Sequence, residues 1–183
     1  MNSTSSQVCK VAQHVLGNAI DVETYEYAPC YLWHDSPIYN EFGELVEVLK
    51  GDTIYLSKTS TNAIEDLFHE LGHVIARRFD VVGHAENYFQ GHWENQIKSH
   101  IGRVVHKRHW SAYLNLYSEM HSELQFNAAS EIWAELFMMQ FLYPENDETD
   151  LLSEEMTRLR SLEKYKELEN RFFVLKQALK QLN

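Results

Sequence analysis

A chain of 183 residues with 44% hydrophobic and 13% aromatic content is long enough for one domain with its own core, which excludes a disordered polymer. The formal net charge of -11, from 27 acids against 16 bases, argues against a nucleic-acid partner, which needs a basic patch to neutralise phosphates. Two cysteines, Cys9 and Cys30, allow at most one bridge, so the fold cannot rest on a disulfide framework.

The opening residues, MNSTSSQVCKVAQHVLGNAID, lack a basic stretch followed by a long apolar core, and no run approaches the roughly 18 apolar residues of a membrane span. The expectation is a soluble protein with no membrane partner, cytoplasmic by default, with export by an unconventional route as the alternative. Residues 22–34, VETYEYAPCYLWH, and 44–57, ELVEVLKGDTIYLS, are rich in strand formers, and Lys50-Gly51-Asp52 reads as a turn. These segments predict a small sheet before residue 60.

The period then changes. In TSTNAIEDLFHELGHVIARRF, residues 59–79, Ile64, Leu67, Phe68, Leu71 and Ile75 recur at helical spacing, and Asn62 with Glu65 three residues on resembles a capping box. A second helix is predicted over 104–124 from His106, Trp110, Tyr113, Tyr117, Met120 and Leu124. A third runs from Ala128 to Tyr143 and stops at Pro144. After the acidic turn PENDETD, residues 151–182 read as one long amphipathic helix carrying Met156, Leu159, Leu162, Tyr165, Leu168, Phe172, Leu175, Leu179 and Leu182. The domain is expected over 1–143, with 144–183 packed on it as a carboxy-terminal helix or used for self-association.

The predicted helix contains His69-Glu70-Leu71-Gly72-His73. A helix advances about 100° per residue, so His69 and His73 project about 40° apart and their imidazoles can converge on one ion. With Ile64 at the centre of the buried stripe, both histidines point away from the core, and Gly72 and Ala76 are expected to keep that face open. Glu70 lies beside the histidines, off their line, where it could take a proton from water activated by a zinc ion. Such a five-residue pattern arises by chance in roughly one chain in twenty of this composition. Its place on an amphipathic helix, directly after a predicted strand, is what makes it informative.

A catalytic zinc needs a further protein ligand. Phe79 stands where a third ligand close in sequence would fall, and Ala76 where the accompanying glycine would, so the ligand must come from elsewhere. NAASEIWAELFMMQFLYP supplies two acids, Glu131 and Glu135, one turn apart in an otherwise apolar helix. Two buried carboxylates repel, and a cation with its histidines would compensate them. Glu131 is expected as the ligand and Glu135 as the residue that orients an imidazole, with the reverse assignment as the alternative. Glu86 and Glu94 are competing ligands in more polar surroundings.

HELGH at 69–73 together with SEIWAELF at 130–137 resembles the gluzincin-type zinc metallopeptidases, specifically the family of the anthrax lethal factor catalytic domain and the Pro-Pro endopeptidases. The resemblance covers roughly residues 44–80 and 128–143. It implies an α+β, zincin-like metallopeptidase domain: a small mixed sheet packed on the HExxH helix, a mostly helical second lobe and a long carboxy-terminal helix. It also implies one zinc ion held by His69, His73 and Glu131, with Glu70 as general base and a protein or peptide as substrate. The tyrosine that this family carries seven residues before the zinc glutamate is replaced here by Leu124, and Tyr117 and His121 are the nearest polar alternatives. The longer spacing between motifs suggests an insertion over 84–112, whose His84, His92, His100, His106 and His109 read as solvated residues of a substrate-covering lobe. An E-x-x-A helix ending in proline is also similar to repressor-cleaving metallopeptidases, which would make the substrate a regulatory protein. A non-enzymatic zinc-containing binding protein is the reading from a different class. In the enzyme readings, the peptide is expected along an edge strand at 52–57.

Overall fold

The computed structural model describes residues 4–81, 122–144 and 153–182. Helix α1 spans Ser5–Leu16 and begins with a full capping box: Thr4 Oγ1 accepts from the Gln7 amide while the Gln7 side chain accepts from the Thr4 amide. Val8, Ala12 and Leu16 form its fully buried stripe.

Three strands, β1 (Asp21–Tyr25), β2 (Cys30–Leu32) and β5 (Thr53–Ser57), form a mixed sheet in the order β1-β5-β2. β1 runs parallel to β5, and β2 antiparallel to it. Every residue of β5 is buried, as a strand with neighbours on both sides requires. The 52–57 segment is therefore the centre of the sheet, and the expectation of an edge strand there is wrong. Among the described residues, the open edge nearest the helices that follow belongs to β2.

β3 (Ser36–Tyr39) and β4 (Leu45–Leu49) form a separate hairpin, so Lys50-Gly51-Asp52 joins two sheets instead of closing one. A Cβ at Gly51 would lie 2.6 Å from the His34 backbone, which explains the glycine. Asp52 takes a positive φ of 54° and is held by the Tyr31 hydroxyl at 2.8 Å and Arg78 at 2.7 Å.

Helix α2 (Ala63–Arg78) follows β5 directly. Asn62 is its N-cap residue but makes no capping bond through its side chain. Ser60 braces the turn before the helix, its hydroxyl accepting from the Asn62 amide and donating to the Asp66 carboxylate. Ile64 is only half-buried, while Leu67, Phe68, Leu71, Val74 and Ile75 are fully enclosed. Helix α3 covers Ser122–Leu142, beginning earlier than the sequence predicts. Its residues Trp133 to Met139 and Phe141 are buried against α2. The predicted helix over 104–124 lies almost entirely outside the described residues.

The carboxy-terminal helix is two helices, α4 (Ser153–Arg160) and α5 (Glu163–Lys180). The reason lies in the spacing. From Met156 to Leu168 the apolar residues step by three, and each step drifts about 60° around a straight helix, so Met156 and Phe172 would face opposite ways. The break resets the phase: Leu162 becomes extended and 37% exposed, and the Ser161 hydroxyl donates to the Arg158 carbonyl. Met156, Leu159, Tyr165, Phe172, Leu175 and Leu179 then all enter the same core as α1, α2 and α3. Phe172 meets Phe137 and Phe141 edge-on at 6.0 and 5.7 Å between ring centres. Burial of each of these rings contributes about 1.5–3 kcal/mol.

Candidate metal centre

α2 and α3 lie so close that no side chain fits between them at Gly72, where a Cβ would sit 2.6 Å from Ala134 Cα. Gly72 therefore does not hold the histidine face open, as the sequence suggests. It lets α3 close upon it, and the Trp133 indole locks the contact by donating to the Gly72 carbonyl at 2.9 Å.

That approach places the polar residues of α3 over the two histidines. His69 Nε2 lies 3.1 Å from one oxygen of Glu131, and His73 Nε2 lies 3.3 Å from the other. The opposite ring nitrogens have partners of their own: His69 Nδ1 is 3.1 Å from a Glu135 oxygen, and His73 Nδ1 is 3.0 Å from Ser130 Oγ. The imidazole centres are 5.0 Å apart. Glu131 and Glu135, expected as ligand and orienting residue, thus both lie against His69, and Ser130 is a partner of His73 that the sequence reading overlooks. Its signal was its position: a hydroxyl next to Glu131 on the same helix, facing the second histidine.

Burial alone would push the His69 imidazole down, but its hydrogen bonds to Glu131 and Glu135 and the charges of Glu70 and Glu131 prevail, raising it to about 10. Burial would raise the Glu131 carboxyl, yet its contacts with both histidines hold it well below the usual carboxylate range. Glu70 is only 5% exposed, and this burial pushes its carboxyl up against the opposing pull of His73 and His69. Its charge is also felt by the half-buried Cys30 on β2, whose thiol is raised first by burial and then by Glu70. Glu70 is thus in electrostatic reach of both the histidine cluster and the sheet edge.

Among the described residues, His69, His73 and Glu131 are the group able to hold a metal ion, with one donor atom from each lying within 4.8 Å of the others. A tetrahedral zinc with ligands at about 2.0–2.1 Å needs donors about 3.3 Å apart. Each Nε2 lies 3.1 or 3.3 Å from a different Glu131 oxygen, separations of the size zinc ligands keep, and two imidazoles with one carboxylate are ligands zinc accepts. Glu86, Glu94, Tyr117, His121 and the five histidines of 84–112 lie outside the described residues.

Cys9 and Cys30 are both free thiols. No helix among the described residues is long and apolar enough to cross a membrane. No family model, curated protein or solved structure matches this chain.

Proposed function

We propose that the protein is a zinc-dependent endopeptidase with a zincin-like fold, using His69, His73 and Glu131 as ligands and Glu70 as general base. The observation that carries this reading is the convergence of both Nε2 atoms on one carboxylate, while separate groups hold each Nδ1. That division leaves the Nε2 atoms with no other partner among the described residues and fixes the rings, as metal-binding histidines require. Zinc at this position would polarise a peptide carbonyl and acidify water.

The chain's own groups supply the rest. Glu135 accepts from His69 Nδ1, which would leave Nε2 as the atom that turns its lone pair to a cation once the ring gives up its second proton, and the Ser130 hydroxyl holds His73 Nδ1. Glu131, with its side chain 33% exposed, forms the solvent side of the cluster. Glu70, whose carboxyl burial makes more basic than an ordinary glutamate, is the group placed to take a proton from water and pass it to the leaving amine. An extended peptide would pair with the open edge of β2 and not with 52–57.

The test is cleavage of a peptide library by zinc-loaded protein. Glu70→Gln should retain zinc and lose at least about 100-fold in rate. A wild type that binds zinc and cleaves no peptide would overturn the enzyme reading. It would support the second one, a metal-stabilised binding protein.

A further inference from the structure

We propose that the β3–β4 hairpin is a protein-docking arm whose partner presents an apolar groove bordered by lysine or arginine side chains. The proposal is independent of the metal centre.

Facing residues of an antiparallel pair share one side of the ribbon. Ser36 with Leu49 and Ile38 with Glu47 form one side, on which Leu49 is buried, Ser36 and Ile38 are half-buried and Glu47 stays exposed, so the Leu49 end of this side turns towards the domain. Pro37 with Val48 and Tyr39 with Leu45 form the other, which is exposed. The usual polarity is reversed, because a solvated sheet face ordinarily carries polar residues. A register shift between Ile38 and Tyr39 adds Val46 to the exposed region, where it is 64% accessible. A contiguous apolar face of this kind marks an interaction surface, and a two-stranded ribbon has little stability of its own to offset its exposure.

The tip is built to present one side chain. Asn40 Oδ1 accepts from the amides of Phe42 and Glu44 at 3.0 and 2.9 Å, and Gly43 takes a φ of 78° that closes the turn. Phe42 is left 79% exposed on a fixed backbone, the arrangement of an aromatic anchor that inserts into a partner's pocket with little loss of backbone freedom.

Charge chooses the occupant. Residues 35–49 contain Asp35, Glu41, Glu44 and Glu47 and no lysine or arginine, and these acids are exposed. A second copy of the chain would bring like charge to like, and the net -11 adds to that repulsion. An anionic lipid surface is disfavoured for the same reason. A protein groove with an apolar floor and basic rim satisfies both the apolar face and the acids.

Random peptides displayed on phage, selected on the full-length protein and counter-selected on Phe42→Ser/Val46→Ser, test the assignment. The expected peptides alternate bulky apolar residues with Lys or Arg. They should bind the double variant at least tenfold more weakly, and Glu41→Gln/Glu47→Gln several-fold more weakly with a reduced salt dependence. Both variants should melt like the wild type, since the altered side chains are exposed. The proposal is overturned if no peptide separates the wild type from the apolar variant, or if the selected peptides lack basic residues and ignore the charge variant. It is equally overturned if the wild type sediments as a dimer that Phe42→Ser/Val46→Ser dissociates, or if phosphatidylserine vesicles bind the hairpin.

Discussion

The Trp133 indole nitrogen donates to the Gly72 carbonyl at 2.9 Å, joining the residue before His73 to the residue two after Glu131. The two halves of the candidate centre are thus held in register by packing next to them, before any cation is considered.

Gly72→Ala should disturb this contact more than any exposed substitution. The new methyl would meet Ala134 Cα at 2.6 Å, and α3 would have to retreat. Overpacking of this kind costs about 1–3 kcal/mol, against a gain of about 1 kcal/mol in helix propensity. A lower melting temperature together with a weaker zinc isotherm is expected. An unchanged isotherm would show that the approach of α3 does not set the centre.

Substitutions around the cluster should fall into two ranks. Glu131→Gln should abolish stoichiometric zinc binding, whereas Glu135→Gln and Ser130→Ala should each weaken it by about 10–100-fold. Ser130→Thr keeps a hydroxyl and should recover most of the Ser130→Ala loss. Zinc retained in Glu131→Gln and lost in Glu135→Gln would exchange the two roles.

Protons compete for the same atoms. Without metal, His69 is raised to about 10 from an ordinary 6.5, so its contribution to stability is complete below about 6.5 and is lost as pH climbs towards 10. Glu131 is lowered, so its contribution exists above its ordinary 4.5 and disappears as pH falls below that value. Zinc binding at pH 7 must therefore expel the His69 proton, and titration calorimetry in buffers of different ionisation enthalpy should register about one proton released. No release would contradict the hydrogen-bonded geometry of His69.

The carboxy-terminal helix offers a stability test free of the metal. Phe172→Ala should cost about 3–5 kcal/mol, because its ring is fully buried between Phe137 and Phe141. Val174→Ala, at a position 58% exposed, should stay within about 0.5 kcal/mol. Equal and small effects in denaturant melts would remove α5 from the core.

Much of the centre was legible because its signals are local. His69, Glu70 and His73 share one helical turn, and two acids in an apolar helix, Glu131 and Glu135, call for a compensating charge. What failed depended on pairing partners distant in sequence. β5 has the composition of an edge or hairpin strand until β1 and β2 are known to flank it, and Gly72 looks like an opening until Ala134 is seen against it. Two misses were avoidable. Thr4 and Gln7 spell a capping box ahead of Val8, Ala12 and Leu16, which locates α1. The steps of three from Met156 to Leu168 rule out a single straight helix.

His69 and Glu131 stand 62 positions apart in the chain and 3.1 Å apart in space. A cation gripping both would act as a removable staple across that span, favouring the closed arrangement by an amount that follows metal supply. Resistance of the purified protein to limited proteolysis would then rise and fall with the free zinc in the buffer, turning a ligand set into a gauge of folding.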